Sequence, residues 1–247
     1  MSLPKIVSPE EWRAARLELL AEEKAMTRAR DALSMKRREL PMVRVEKDYV
    51  FEGLDGPAGL LDLFDGRRQL VVGHFMFDPT WDDGCPSCTA GADEMSPGLL
   101  AHLHARDTTL AYVSRAPIAK IEDYKASKGW TFPWYSSFGS DFNYDFHVTL
   151  DESVAPIEYN YRSREEHEGA GSPIVEGDQS AECPGRSSFL RDGDAIFHTY
   201  SVYARGLESM GGSYYLLDET ALGRQEDWEE PKGRAGTPRG AVPDFAS

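Results

Sequence analysis

Cysteine is scarce in this sequence: there are three in 247 residues. Three thiols cannot build the dense framework that staples small secreted domains, so the chain reads as a protein of a reducing cytoplasm. Long apolar runs are missing too. None approaches the roughly 20 residues that span a bilayer, and the opening "MSLPKIVSPEEW" lacks the apolar centre of a signal peptide. Basic residues are in deficit, with 27 Lys and Arg against 42 Asp and Glu and a net charge of −15. Phosphate backbones are held by clustered Lys and Arg, so nucleic acid is not an expected partner, and neither is a membrane. No Ser/His/Asp order, pair of catalytic carboxylates or Gly-rich phosphate loop stands out. "GLDGPAG" lacks the spacing and the following helix for that last role, and no cofactor is expected.

What is present suffices for one core: 40% of residues are hydrophobic, with five Trp and eleven Tyr. Ser8-Pro9-Glu10-Glu11 reads as a capped helix start, and the pattern runs to about Leu40, where Pro41 ends it. Trp12, Ala15, Leu19, Met26, Ala29 and Leu33 form one apolar stripe. Residues 1–42 are therefore expected to be a helical arm, packed across its own domain or against a second subunit as a homodimer.

From Val43 the texture changes to strands. "VRVEKDYVF" alternates, "GLDGPAG" is turn chemistry, and "QLVVGHFMF" is an unbroken apolar run of the kind found in a central, parallel strand. Helical starts follow near Pro86 and at Ser96-Pro97, then the apolar strand "TTLAYVSRAP" and the amphipathic "IAKIEDYKASKG". Strand and helix alternate, which predicts an α/β sheet with right-handed crossovers. Residues 151–185 break the pattern: nine acids against two arginines over 151–182 mark an acidic insertion, with strand character only at "IEYNY". "SSFLRDGDAIFHTYSVY" predicts a hairpin turning at Asp192-Gly193-Asp194. A short helix is expected within "GLESMGGSYYLLDETALGR", and residues 229–247 read as a flexible tail. The main domain is thus placed at 43–228.

Two of the three cysteines lie in "FMFDPTWDDGCPSC". Cys85 follows the buried strand by a short polar loop and opens a helix, where backbone N–H groups and the helix dipole favour a thiolate. Cys88 is one turn on, placed to resolve a mixed disulfide. The helix terminus contributes about 0.3–1 kcal/mol. Two exposed carboxylates at contact range, Asp82 and Asp83, oppose the thiolate by a comparable amount. A modest nucleophile is expected unless a cation such as Arg115 compensates.

The order strand, C-x-x-C, helix, strand, helix and closing hairpin resembles the thioredoxin-like superfamily, in its peroxiredoxin and thiol-reductase branch. More closely, "FMFDPTWDDGCPSC", "VSRAP", "GWTFPWYSS", "DFNYDF", "FHTYSVYARG" and "YYLLDET" resemble a bacterial thioredoxin-like family catalogued as domain of unknown function 899, over about residues 10–228. The resemblance implies a three-layer α/β/α fold, a thiol–disulfide oxidoreductase with Cys85 and Cys88 as its catalytic pair, and a protein or small-molecule disulfide as substrate. The departures are specific. Trp81 is displaced from the position before the first cysteine that thioredoxins give to tryptophan. Asp82 stands three before Cys85, where peroxiredoxins place a threonine. The proline that thioredoxins dock against the dithiol would fall near Arg186 or Ser187, with Pro184 too early.

Arg115 in "VSRAP" emerges at the sheet end that carries the dithiol and, with Trp81 and Trp134, is a candidate for substrate contact. Trp130, Trp134, Phe138 and Tyr144 either line a pocket or pack the core. Among His74, His147 and His198, the last lies on the predicted hairpin, and a copper or zinc site of Cys85, Cys88 and His198 is the alternative to redox chemistry. Cys183, alone in the acidic stretch, is either a second resolving thiol or a bystander.

Overall fold

The structure, a computed structural model, describes residues 4–172, 174 and 180–210, and of Ser209 and Met210 the backbone alone. The described chain divides into two compact units at Pro41/Met42. The first is essentially helix α1, Pro9–Arg38. Its start is the anticipated capping box: the Glu11 N–H donates to Ser8 Oγ (3.2 Å) and the Ser8 N–H to Glu11 Oε2 (3.0 Å). It stops two residues short of Leu40, because a residue preceding proline is pushed out of the helical region.

The second unit opens with β1 (Val43–Arg44), β2 (Val50–Gly53), β3 (Gly56–Gly59) and β4 (Gln69–His74). "GLDGPAG", expected to be turn alone, is mostly strand: Leu54-Asp55 makes the turn, and Gly56 takes a φ of 107° that an L side chain resists. Then follow α2 (Pro86–Asp93), α3 (Pro97–His104), β5 (Thr108–Ser114), α4 (Ile118–Lys128) and β6 (Trp134–Ser136). Next come α5 (Phe142–Asp145), β7 (Thr149–Leu150), β8 (Glu158–Tyr159), β9 (Arg162–Ser163), α6 (Arg164–Gly169) and β10 (Ala181–Glu182). The anticipated hairpin closes the set as β11 (Gly185–Asp192) and β12 (Ala195–Tyr203), with Gly193 at positive φ in its turn. A 3₁₀ turn at Ala204–Met210 follows; the rest of the expected C-terminal helix and the tail lie outside the described residues.

The main sheet has eight strands in the order β1-β12-β11-β4-β5-β6-β2-β3. β4, β5 and β6 run parallel, while β11 pairs antiparallel to both β4 and β12. Four neighbours, β12-β11-β4-β5, with helices crossing from β4 to β5, are the thioredoxin-like core. Alternation along β4 and β5 sorts their side chains to two faces. Leu70, Val72 and Val113 join Phe51, Phe64, Phe142, Phe146 and Phe189 on one face. Phe75 and Tyr112 join Phe77, Ala92, Ile121, Phe132 and Trp134 on the other, under α2 and α4.

The stretch 151–185, anticipated as the least core-like part before the tail, contributes to a third cluster. Ile157, Tyr159 and Cys183 are buried with Val148, Leu150 and Tyr203. Glu152, Glu158, Glu165, Glu166 and Glu168 are exposed, whereas the Glu182 side chain is buried against Arg115; composition alone does not distinguish such a stretch from a solvated loop.

His74, at the end of β4, is 4% exposed and stacks with Phe142 and Phe146 on the first face. Its Nε2 meets Ser187 Oγ at 2.8 Å, Ser187 meets Ser201, and Ser201 meets His198 Nε2, each at 2.8 Å. Burial pushes His74 down to about 3, aided by the nearness of His198, which burial lowers as well. The unfolded chain therefore binds protons below about pH 6.5 that the folded chain refuses, and stability falls with pH through the window from about 6.5 to 3. His74 alone contributes a slope of up to ~1.4 kcal/mol per pH unit there. Urea unfolding of His74→Gln at pH 7, 6, 5 and 4 should show a shallower decline than wild type, by about one proton; parallel curves would refute the assignment.

Candidate functional site

The thiols sit where the helix after β4 begins. Cys85 is the N-cap of α2 and Pro86 its first residue, with φ preset for a helix. The Cys85 N–H donates to Met76 O (3.0 Å), which ties the end of the loop back to the strand. The Cys85 carbonyl accepts from the N–H and the Oγ1 of Thr89, both at 2.9 Å. The Thr89 hydroxyl gives its proton to that carbonyl, so at the 2.9 Å contact with Tyr124 the tyrosine is the donor. Gly84 has no room for a side chain: a Cβ there would lie 2.6 Å from Phe75 and 3.1 Å from Tyr124.

Both thiols are free and part-buried. Cys85 makes no cap hydrogen bond of regular geometry in its neutral form, but its ionised form is favoured. Hydrogen bonding with the Cys88 thiol is the main cause, burial opposes it, and the N–H groups of Cys88 and Ser87 add to it, bringing Cys85 down to about 6. The same bond and the burial of Cys88 push Cys88 well up. The expectation of a modest nucleophile does not weigh the neighbouring thiol. The helix terminus supplies only about 0.3–1 kcal/mol, whereas a hydrogen bond to a charged group contributes about 1.5–3 kcal/mol, so the neighbouring thiol outweighs the dipole. Asp82 and Asp83 point into solvent and do not set the balance.

Arg115 is not the compensating cation. Its Nη2 donates to Asp78 Oδ2 (2.6 Å), its Nε to Glu182 Oε1 (2.7 Å) and its Nη1 to the Tyr144 hydroxyl (2.8 Å). Burial raises Glu182 above the usual carboxylate range against the pull of Arg115 and Thr149. Burial pushes Asp78 up as well, but bonds from Thr80 and the charge of Arg115 carry it below its ordinary value. Lys120 holds the same loop from α4, donating to Pro79 O (3.0 Å) and Trp81 O (2.6 Å). Two cations thus pin the segment 78–84 that delivers Cys85.

The other candidates separate. Trp81, 38% exposed, rides on the pinned loop. Trp134 is 2% exposed, packs on Phe75 (4.5 Å between centroids) and donates to Ser114 Oγ (3.0 Å). It packs in the cluster beneath α2, and Trp130 donates to Asp93 at the end of the same helix. His198 meets Phe146 edge-on and Phe189 at a tilt, on the sheet face opposite α2, so the structure does not assemble Cys85, Cys88 and His198. No three His, Cys, Asp or Glu side chains among the described residues could hold a metal ion. His147 lies near Glu158 (3.9 Å). Cys183 is buried, which pushes its thiol up to about 12. β11 begins at Gly185, so Pro184, and not Arg186 or Ser187, stands immediately before the strand paired with β4. Asp78, Thr89, Lys120, Tyr124 and Glu182 were missed in the sequence; only Asp78-Pro79-Thr80, an Asx-turn signature, offered a signal.

A sheet of this order with a dithiol at the start of the helix after its central strand defines a thioredoxin-like protein. The chain belongs to the family described as bacterial protein of unknown function (DUF899), whose model matches residues 1–239. No curated protein matches it. Similar solved structures include a cysteine-to-serine mutant of PrxQ from Xylella fastidiosa, at 12% identity over 69% of this chain and 90% of that one, with a TM-score of 0.41. Another is the peroxidoxin BcpB from Mycobacterium tuberculosis, at 14% identity over 67% and 86%, also with a TM-score of 0.41.

Removing the Cys88 donor should move Cys85 up by about one to two pH units, the equivalent of a hydrogen bond of about 1.5–3 kcal/mol to a charged group. Iodoacetamide alkylation rates of Cys85 across pH, in wild type and Cys88→Ala, read this directly. An unchanged midpoint would show that the thiol pair is not the cause.

Proposed function

We propose that this protein is a thiol–disulfide oxidoreductase in which Cys85 attacks and Cys88 resolves. The observation that carries the reading is the asymmetry of the pair: one thiol lowered and part-exposed at a helix start, its neighbour raised and deeper. The Cys85 thiolate attacks a disulfide of the substrate, forming a mixed disulfide, and the departing sulfur takes up a proton. Cys88 then loses its proton and attacks Cys85 Sγ, releasing the second substrate thiol and leaving a Cys85–Cys88 disulfide. Two electrons have moved to the substrate, and an external dithiol must return them.

Substrate contact in this reading belongs to Trp81, on the loop that leads to Cys85 and open to solvent, while Arg115 acts by holding the loop. The substrate is a protein or small-molecule disulfide. A low number of cysteines suits a reducing cytoplasm, and among the described residues no helix is long and apolar enough to cross a membrane. The reaction as written uses the two sulfurs and no cofactor.

With dithiothreitol as donor, wild type should accelerate insulin reduction, and Cys85→Ser should reduce it to the uncatalysed rate. Cys88→Ser should keep the first attack and accumulate a mixed disulfide detectable by mass spectrometry. Equal activity of wild type and Cys85→Ser would end the proposal.

A further inference from the structure

Helix α1 has 30 residues and none of them is buried. At 1.5 Å per residue it is about 45 Å long. Trp12, Leu19, Met26 and Leu33 recur every seventh residue and stand 48–70% exposed, with Ala15 and Ala29 three residues after the first and third. A strict seven-residue repeat drifts by about 20° per heptad on a straight helix, which is the pattern of a left-handed two-helix seam. In proteins most helical stability comes from packing an apolar face rather than from propensity, and this stripe is uncovered.

The distribution of charge says what covers it. Residues 9–23 carry five carboxylates against two arginines, a net −3; residues 24–38 carry six bases against Asp31, a net +5. The helix's own dipole explains acids in the first turn and bases in the last, because its influence fades within one turn. It does not explain Glu18, Glu22 and Glu23 or Lys24 and Arg28, which lie in the middle. Laid parallel, two copies would set like charge beside like. Laid antiparallel, the acidic half of each runs beside the basic half of the other, twice over by the two-fold symmetry of a self-complementary contact. In the register centred on the stripe, Trp12 of one copy faces Leu33 of the other and Leu19 faces Met26.

We propose that α1 pairs antiparallel with α1 of a second copy of this chain. The pairing is independent of the redox reading. Light scattering after gel filtration of the full chain, under reducing conditions, should give the mass of two chains, and Leu19→Glu with Met26→Glu should give the mass of one. A wild-type monomer, or a dimer that survives both glutamates, overturns it. Orientation is read by a spin label at Arg13→Cys in a chain carrying Cys85→Ser, Cys88→Ser and Cys183→Ser. Antiparallel copies place the two labels about 30 Å apart, from some 19 residues of axial offset at 1.5 Å each; a separation near ~10 Å, that of parallel neighbours, overturns the orientation.

Discussion

Everything chemical in this protein depends on holding the backbone between Met76 and Cys85 still. The Cys85 thiolate is favoured by groups on the next turn of α2, and those groups keep their aim only while the Cys85 N–H stays on Met76 O and its carbonyl stays on Thr89. Phe75 and Tyr124 press on Gly84 and leave the chain one path. The loop's outer arc is fixed by Arg115 through Asp78 and by Lys120 through two carbonyls. These are charge-assisted bonds in part-buried surroundings, about twice as strong as neutral ones.

That division of labour changes the role of the charged residues. A cation beside a thiolate lowers its pKa by Coulomb attraction, and Arg115 looked suited to that. Its guanidinium is instead shared among Asp78, Glu182 and Tyr144, so its field is largely answered locally. It acts as a strut between the loop, β10 and α5. The thiolate is left to the cheapest available donor, the thiol one helical turn away, which also explains why the second cysteine rises as the first falls.

Much of the fold was legible in the sequence because it rests on local rules. The capping box at Ser8, the apolar run of β4, the Pro86 helix start and the turn at Gly193 each follow from one side chain or one periodicity. What escaped depends on distant partners. Nothing near Trp134 in sequence announces that it lies under α2, and nothing near His198 tells that its strand turns the ring to the face away from the thiols. The acidic stretch misled for a similar reason: its buried Ile157, Tyr159 and Cys183 are separated by residues whose charge dominates the composition. The main cause of the lowered Cys85 thiol was missed because the balance was drawn between a dipole and two carboxylates, and the other cysteine was left out of it.

The most direct test of this account is to oxidise the folded chain with one equivalent of diamide and map the thiols by mass spectrometry. A Cys85–Cys88 disulfide with Cys183 left reduced is the predicted product. A bridge to Cys183, or a chain that keeps all three thiols, would contradict the pairing on which the account stands.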